Sequence, residues 1–436
     1  MTSLQQEHPP EEQLLAFAQG RLAGPESSAV ESHLLSCDSC CERLSGQPEN
    51  TLLALAREVA TVGFLAPPIP AAIDSTEVPA SPRAGGNTVI PDRIEVSIAG
   101  GLDFALPPMA RVRQKFDPAR LDDIAGTVRR EFLRPEVRSR VKPGQVIAVG
   151  CGSRGVANIG LIARTVVAEL LALGAKPFIF PCMGSHGAAT AEGQRKVLET
   201  YGITEEGTGA PVRATMDTVI VGNLEDGTSV HMDRFASEAD GIVVINRIKP
   251  HTGFRGATES GLTKMLSIGI GKIVGAATYH RHGMDRFPEL LPKIRDVHLA
   301  HRNVLFGVGI VENAYDETAH VELVPSEQLA TREPVLQSIA KQMMPRLFFD
   351  EIDVLVIEEM GKNISGAGFD PNITGRNRRN VQWSPKPLIK KIVVLGLTRV
   401  SHGNATGIGG ADVTTMRLFR DLDIACLLYT SDAADE

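Results

Sequence analysis

Three short stretches place an arginine or a histidine among glycines just past an apolar run. Arg154 lies in GCGSRG (150–155), His186 in PCMGSHGAAT (181–190) and His251 in IKPHTGFRG (248–256). A guanidinium holds oxyanions through a planar fork, an imidazole exchanges protons near neutral pH, and glycines let a ligand approach the backbone closely. A histidine taken alone is as readily a hydrogen-bonded structural residue. His186 and His251 read as functional because each follows a strand-like run in a glycine-bearing loop.

The elements that must position these groups alternate along the chain from Arg93 onward. VIAVG is followed by a long apolar helical stretch from Ile159, then PFIFPC, a helical EGQRKVLETYG, and the runs TVIVG, GIVVIN, LFGVGIV, DVLVIEE and KIVVLGL. That alternation predicts an α/β fold, two domains with mainly parallel sheets flanked by helices, preceded by a small helical segment. Ligands of such sheets bind beyond the carboxyl ends of the strands. Arg154, His186 and His251 all fall at that edge, so one pocket can gather them.

Length and composition bound the rest. A chain of 436 residues exceeds one ordinary domain. With 43% hydrophobic and 22% charged residues it reads as globular, and no apolar run approaches the ~18 residues of a membrane span. The polar start MTSLQQEHPPEEQLL shows no signal peptide, so a cytoplasmic location is expected. A net charge of −7, without a basic stripe interleaved with aromatics, argues against a nucleic-acid partner. Six cysteines in this length make no disulfide framework. The expected organisation is a helical segment over 1–64, a Pro/Ala/Ser/Gly-rich linker over 65–92, a catalytic domain over 93–325, a second α/β domain over 326–425 and a tail over 426–436.

The N-terminal segment carries its own signal. His33-x3-Cys37-x2-Cys40 can bring an imidazole and two thiolates around a tetrahedral zinc, with His8 as a candidate fourth ligand. The other reading is an unmetallated helical hairpin with buried thiols. The segment resembles the zinc-finger-like module of anti-sigma factors, and the region preceding the kinase domain in some bacterial serine/threonine kinases. No Gly-rich loop with a VAIK lysine and no HRD segment follows.

The stretch DGIVVINRIKPHTGFRGATESGLTKMLSIGIGKIVGAATYHRHG (240–283) joins a strand, a Pro-His turn, glycines, lysines and a histidine cluster. GIGKIVGA has the wrong glycine spacing for a dinucleotide fingerprint, and Lys272 lacks the Ser or Thr of a phosphate-binding loop. Together with GSHGAATAEGQRKVLETYGI and KPHTGFRG, this stretch resembles the nickel-dependent lactate racemase family over about 107–422. The resemblance implies a nickel pincer nucleotide cofactor and a 2-hydroxy acid substrate. His186 and His251 would be the proton-transfer histidines, Lys264 the lysine joined to the cofactor and His280 the nickel ligand. Arg154 would hold the substrate carboxylate. The α-hydrogen of a 2-hydroxy acid is too weakly acidic for simple abstraction, so the implied route is hydride transfer to the cofactor, with the histidines handling the hydroxyl proton.

The chain departs from that family in places. Cys151 stands where the family has Asp, and Ser153 where it has Thr. The interval from His251 to Lys264 is longer, which makes Lys272 a competing lysine, whereas Lys264 to His280 keeps the family's separation; His282 is the alternative nickel ligand. The loop EEMGKNISGAGFDPNITGRNRR (358–379) resembles the family's closing loop, with Gly375 and Arg378 nearest its glutamine and lysine, so Arg378 is a candidate substrate contact. SHGNATGIGGAD (401–412) reads as a tight strand-to-helix connection, with His402 left open. The tail CLLYTSDAADE looks like translated sequencing-adapter sequence, so the second domain is expected to be truncated. The rival readings are a divergent or cofactor-free isomerase of the same family, or a regulatory protein acting through residues 1–64.

Overall fold

The computed structural model describes residues 108–153, 155–377 and 382–424, together with residues 8–10, 13, 30, 33 and 37. The chain divides into two compact units, Met1–Leu106 and Pro107–Glu436. The linker over 65–92, the tail over 426–436, most of the 1–64 segment, Cys40, Arg154 and Arg378 lie outside the described residues.

The larger unit is built on a five-stranded sheet. Its strands are β1 (Val146–Cys151), β2 (Lys176–Pro181), β5 (Gly241–Arg247), β6 (Val304–Glu312) and β7 (Thr318–Pro325), in the order β2-β1-β5-β6-β7. A separate antiparallel hairpin supplies β3 (Thr218–Asn223) and β4 (Ser229–Asp233). All pairings in the large sheet are parallel except β6 with β7. This is the mixed α/β class, with mainly parallel strands flanked by helices, that the alternating runs predict.

Burial explains why those runs are almost wholly apolar. Alternate residues of one strand feed two cores: Ala148, Phe178, Ile242 and Val244 on one face, Ile147, Val149, Ile179, Val243 and Ile245 on the other. The second face is covered by α1 (Ile124–Phe132) and α2 (Ile159–Ala172), through Phe132, Ile162, Val166 and Leu170. After α3 (Ala191–Thr200), the first face is covered by α4 (Lys272–His280), α5 (Phe287–His301) and α6 (Leu329–Met343). Each large apolar side chain removed from water contributes about 1.5–3 kcal/mol. A sheet buried on both faces is therefore the rigid platform of the molecule.

A second, parallel sheet contains β8 (Glu351–Ile357), β9 (Leu388–Val394) and β10 (Val413–Thr414), followed by α7 (Met416–Asp421). Its core gathers Met360, Phe369, Ile392, Val394 and Leu418. The opposite face of β8 is open, with Val354 55% and Val356 56% exposed. The glycine-rich stretch 401–412 joins β9 to the short β10, not to a helix directly. Among the described residues no helix is long and apolar enough to cross a membrane.

Candidate functional site

The strand order reverses beside β1. The chain leaves β1 toward β2 on one side, while β5 and β6 extend the sheet on the other. Loops leaving the carboxyl ends of β1 and β5 diverge there and leave a crevice, the usual ligand position in such sheets. The crevice is present as a cleft holding about 750 Å³ of non-atom space, its mouth included. Gly152 and Ser153 enter from β1, Met183 and His186 from β2, and Lys249, His251 and Lys264 from β5 and beyond. At Gly152 a Cβ would sit 2.6 Å from Asn246 Oδ1, so a larger residue there would have to displace the Asn246 side chain.

His251 is 4% exposed and is fixed from several sides. Its backbone N–H donates to Glu259 Oε2 at 2.7 Å, and Glu259, itself buried, pairs through Oε1 with Lys341 Nζ on α6 at 2.6 Å. The N–H of Gly253 donates to His251 Nδ1 at 2.9 Å. Nδ1 therefore carries the lone pair, and the neutral ring holds its proton on Nε2. Nε2 lies 3.0 Å from Lys264 Nζ, within hydrogen-bond distance.

Lys264 ends a short helical turn, Leu262–Lys264, that widens into a π-type turn over Met265–Gly269. Such turns cluster at functional sites. The turn is pinned by buried Glu333 of α6, which accepts the Thr263 N–H at 3.0 and 3.1 Å and the Thr263 hydroxyl at 2.6 Å. Burial pushes the Glu333 carboxyl above its ordinary range, and the Thr263 donors and Arg295 pull the other way. Arg295 Nη1 completes the cluster by donating to Thr263 Oγ1 at 3.1 Å.

His186 is half-buried, and its Nδ1 makes a short hydrogen bond with Ser153 Oγ. Ser153 thus joins the first glycine-rich loop to the second. Cys182 on the cleft wall and Cys151 at the end of β1 are fully buried. Burial pushes the Cys151 thiol up to about 12 and moves Cys182 upward as well, so both are thiols and not thiolates.

His280, at the end of α4, is not among the residues lining the cleft. Its Nδ1 donates to Ala276 O at 2.6 Å, which leaves the Nε2 lone pair available for a metal. The ring packs on Phe287, Phe287 on Phe254 and Phe254 on His251, with centroids 5.0, 5.5 and 4.4 Å apart. His282 Nε2 instead meets Thr228 Oγ1 at 3.1 Å. Lys272, the competing lysine, is fully buried in an ion pair with Asp233 at 3.0 Å, away from the cleft lining. Lys264 in the cleft and His280 beyond its lining are the described residues here that could hold a covalently attached group or a metal ion.

The loop after β8 reaches the same site. Gly366 lines the cleft, Asn372 Nδ2 donates to His251 O at 3.2 Å, and Trp383 Nε1 donates to Asn372 Oδ1 at 3.1 Å. Arg255 stacks over the Trp383 ring at 4.8 Å. Neither Asn372 in this contact role nor Glu259, Glu333 or Gln194 is marked in the sequence, because each acts through a partner far along the chain.

In the N-terminal unit, His8, His33 and Cys37 converge, their ligand atoms all within 4.8 Å of one another. His8 Nδ1 lies 3.3 Å from His33 Nε2 and 3.4 Å from Cys37 Sγ. Cys40, the remaining expected ligand, lies outside the described residues.

No protein-family model matches the chain, and no curated protein matches it in sequence. Among solved structures it is similar to the lactate racemase apoprotein from Thermoanaerobacterium thermosaccharolyticum, at 15% identity and a TM-score of 0.41. That likeness covers 62% of this chain and 66% of that one, just under two thirds. The chemistry of the cleft therefore rests on the chain's own side chains.

Proposed function

We propose that the chain is a lactate racemase-like isomerase that inverts the carbinol carbon of a 2-hydroxy acid. The observation that carries this reading is the pair His186 and His251, which enter one cleft from strands on either side of β1, with Lys264 Nζ against His251. Inversion by hydride transfer passes through a planar carbon whose oxygen loses a proton and regains one, and two imidazoles entering from different strands can serve as acceptor and donor in either direction. One imidazole takes the hydroxyl proton as the carbon becomes planar; the other returns a proton when the opposite face is reduced. Arg154, next to Ser153, and Arg378, in the loop that touches His251, are assigned to the substrate carboxylate.

Lys264 and His280 are the residues assigned to hold a nickel pincer nucleotide. When bound, that group supplies the two-electron acceptor that a non-acidic α-C–H bond requires. His8, His33, Cys37 and Cys40 are assigned to a zinc ion in the N-terminal unit.

The test is peptide mass spectrometry with metal analysis on chain produced beside the cofactor's biosynthetic enzymes, followed by chiral analysis of 2-hydroxy acids. A mass increase on Lys264, about one nickel per cleft as the chemistry requires, and interconversion of enantiomers are expected. His280→Ala should lose the nickel with the fold intact; nickel retained in that variant would reassign the ligand. Fully loaded chain that interconverts no 2-hydroxy acid would sink the proposed reaction.

A further inference from the structure

Lys272 is a costly residue to place where it stands. Its backbone lies at φ +54°, a region that non-glycine residues seldom occupy, and its side chain is fully buried. An ammonium out of water needs an acceptor for each of its protons. Nζ has three partners: it donates to Pro181 O, donates to Gln194 Oε1 at 3.1 Å, and pairs with Asp233 Oδ2 at 3.0 Å. Asp233 is held in turn by its Oδ1, which accepts the Ala236 N–H at 3.0 Å.

Gln194 carries the arrangement toward the cleft. An ammonium can only donate, so the Gln194 carbonyl must face Lys272 and the amide NH2 must face away. The NH2 donates to Gly184 O at 2.8 Å and His186 O at 3.2 Å. Those carbonyls belong to a segment in which Gly184, Gly187, Ala188 and Ala189 all have φ between 53° and 65°. A backbone with two alanines in the left-handed region keeps its shape only where surrounding contacts over-determine it.

We propose that Lys272, neutralised by Asp233 and acting through Gln194, is the positioning residue that holds the His186 loop in its working shape. The proposal rests on the reading of His186 as a proton-transfer group, and it deepens that reading by assigning the lysine of GIGK a task away from substrate and cofactor. Gln194 is the link: its carbonyl is oriented by the ammonium, and its two amide protons tie down the loop carbonyls on either side of Ser185.

Hydrogen exchange by mass spectrometry on the full chain tests this, with Lys272→Met and Gln194→Glu against the wild type. Gln194→Glu keeps the Lys272–Asp233 pair but replaces the donor facing the loop by an acceptor, so it reads the link even where Lys272→Met does not fold. Peptides covering 183–190 should exchange roughly tenfold faster in both variants while β1 and β5 stay protected. Carbethoxylation of His186 by diethyl pyrocarbonate should rise in step. With a turned-over 2-hydroxy acid, kcat should fall while KM holds. Unchanged exchange over 183–190 in folded Gln194→Glu, or a uniform rise across the whole sheet, would overturn the proposal. Locally faster exchange in a chain whose wild type racemises nothing would support the positioning role and count against the proposed function alone.

Discussion

The two histidine loops reach one cleft by opposite means. His251 is almost fully buried, its ring nitrogen satisfied by Gly253 and its backbone held directly by the Glu259 carboxylate. His186 is half-buried, its ring meets a rotatable hydroxyl, and its backbone carbonyl accepts from the neutral Gln194 amide, which Lys272 orients from the core. A carboxylate on a backbone N–H fixes one atom strongly. A chain of ammonium, amide and carbonyls fixes the path of a whole strained segment. A site can thus share its rigidity unequally, with one group held by a charged carboxylate and its partner by a neutral amide that spans a strained loop.

Removing the rings should produce the largest effects. His186→Ala and His251→Ala should each lower turnover by about 10²–10⁴-fold, the usual worth of a positioned acid or base. The two should differ in what else they change. His251→Ala also removes the group against Lys264 Nζ, so the mass increase on Lys264 should form more slowly, while His186→Ala leaves it unaffected. Equal loading in both variants would break the contrast between the loops.

Removing the supports comes next. Asp233→Asn leaves the Lys272 ammonium buried beside a neutral group and should cost about 3 kcal/mol in urea unfolding. Glu259→Gln keeps an acceptor for the His251 N–H and faces a partly exposed Lys341, so about 1 kcal/mol is expected. A larger loss in Glu259→Gln than in Asp233→Asn would mean that the direct support, not the relayed one, carries the buried charge.

A histidine outside both loops calibrates them. His298 on α5 is fully buried, and among the described residues neither ring nitrogen has a partner. Burial, with Arg302 and His301 nearby, holds it down to about 3. A base depressed in the folded chain takes up its proton in the unfolded chain first, below the ordinary histidine value near 6.5. Stability should thus be complete above about pH 6.5 and fall by up to ~1.4 kcal/mol per pH unit as acid is added, levelling off near the folded value. His298→Leu should flatten that slope in urea titrations at several pH values. A slope unchanged by His298→Leu would assign the acid sensitivity to other groups.

What the sequence makes legible follows the same division. VIAVG, GIVVIN and LFGVGIV announce themselves because a parallel strand buried on both faces is apolar throughout. β7, TAHVELVP, does not, because an edge strand mixes His320 and Glu322 with its apolar residues. Glycine-bearing loops after strands mark His186 and His251, and the cleft brings them together with Lys264. Glu259, Glu333 and Gln194 are invisible in one dimension: their partners Lys341, Thr263 and Lys272 lie 82, 70 and 78 residues away. Lys272 shows the converse, a lysine whose glycine neighbours suggest a ligand but whose side chain turns into the core.

The smallest expected effect lies where the second sheet touches the better-anchored histidine. Asn372→Ala removes one hydrogen bond to His251 O and leaves Trp383 Nε1 without its acceptor, so about 1 kcal/mol or less is at stake. His251 keeps Glu259 and Gly253, and its position should hold. The Trp383 indole should shift, since Arg255 stacking and the backbone bond from Trp383 N–H to Gly375 O leave its Nε1 unanchored. It is the chain's single tryptophan, so its fluorescence reports this contact without interference. A shifted emission maximum with unchanged kcat would show that the loop leans on His251 without steering it. A fall in kcat as large as that from Gln194→Glu would instead make His251 a relayed residue too, and erase the distinction between the two loops.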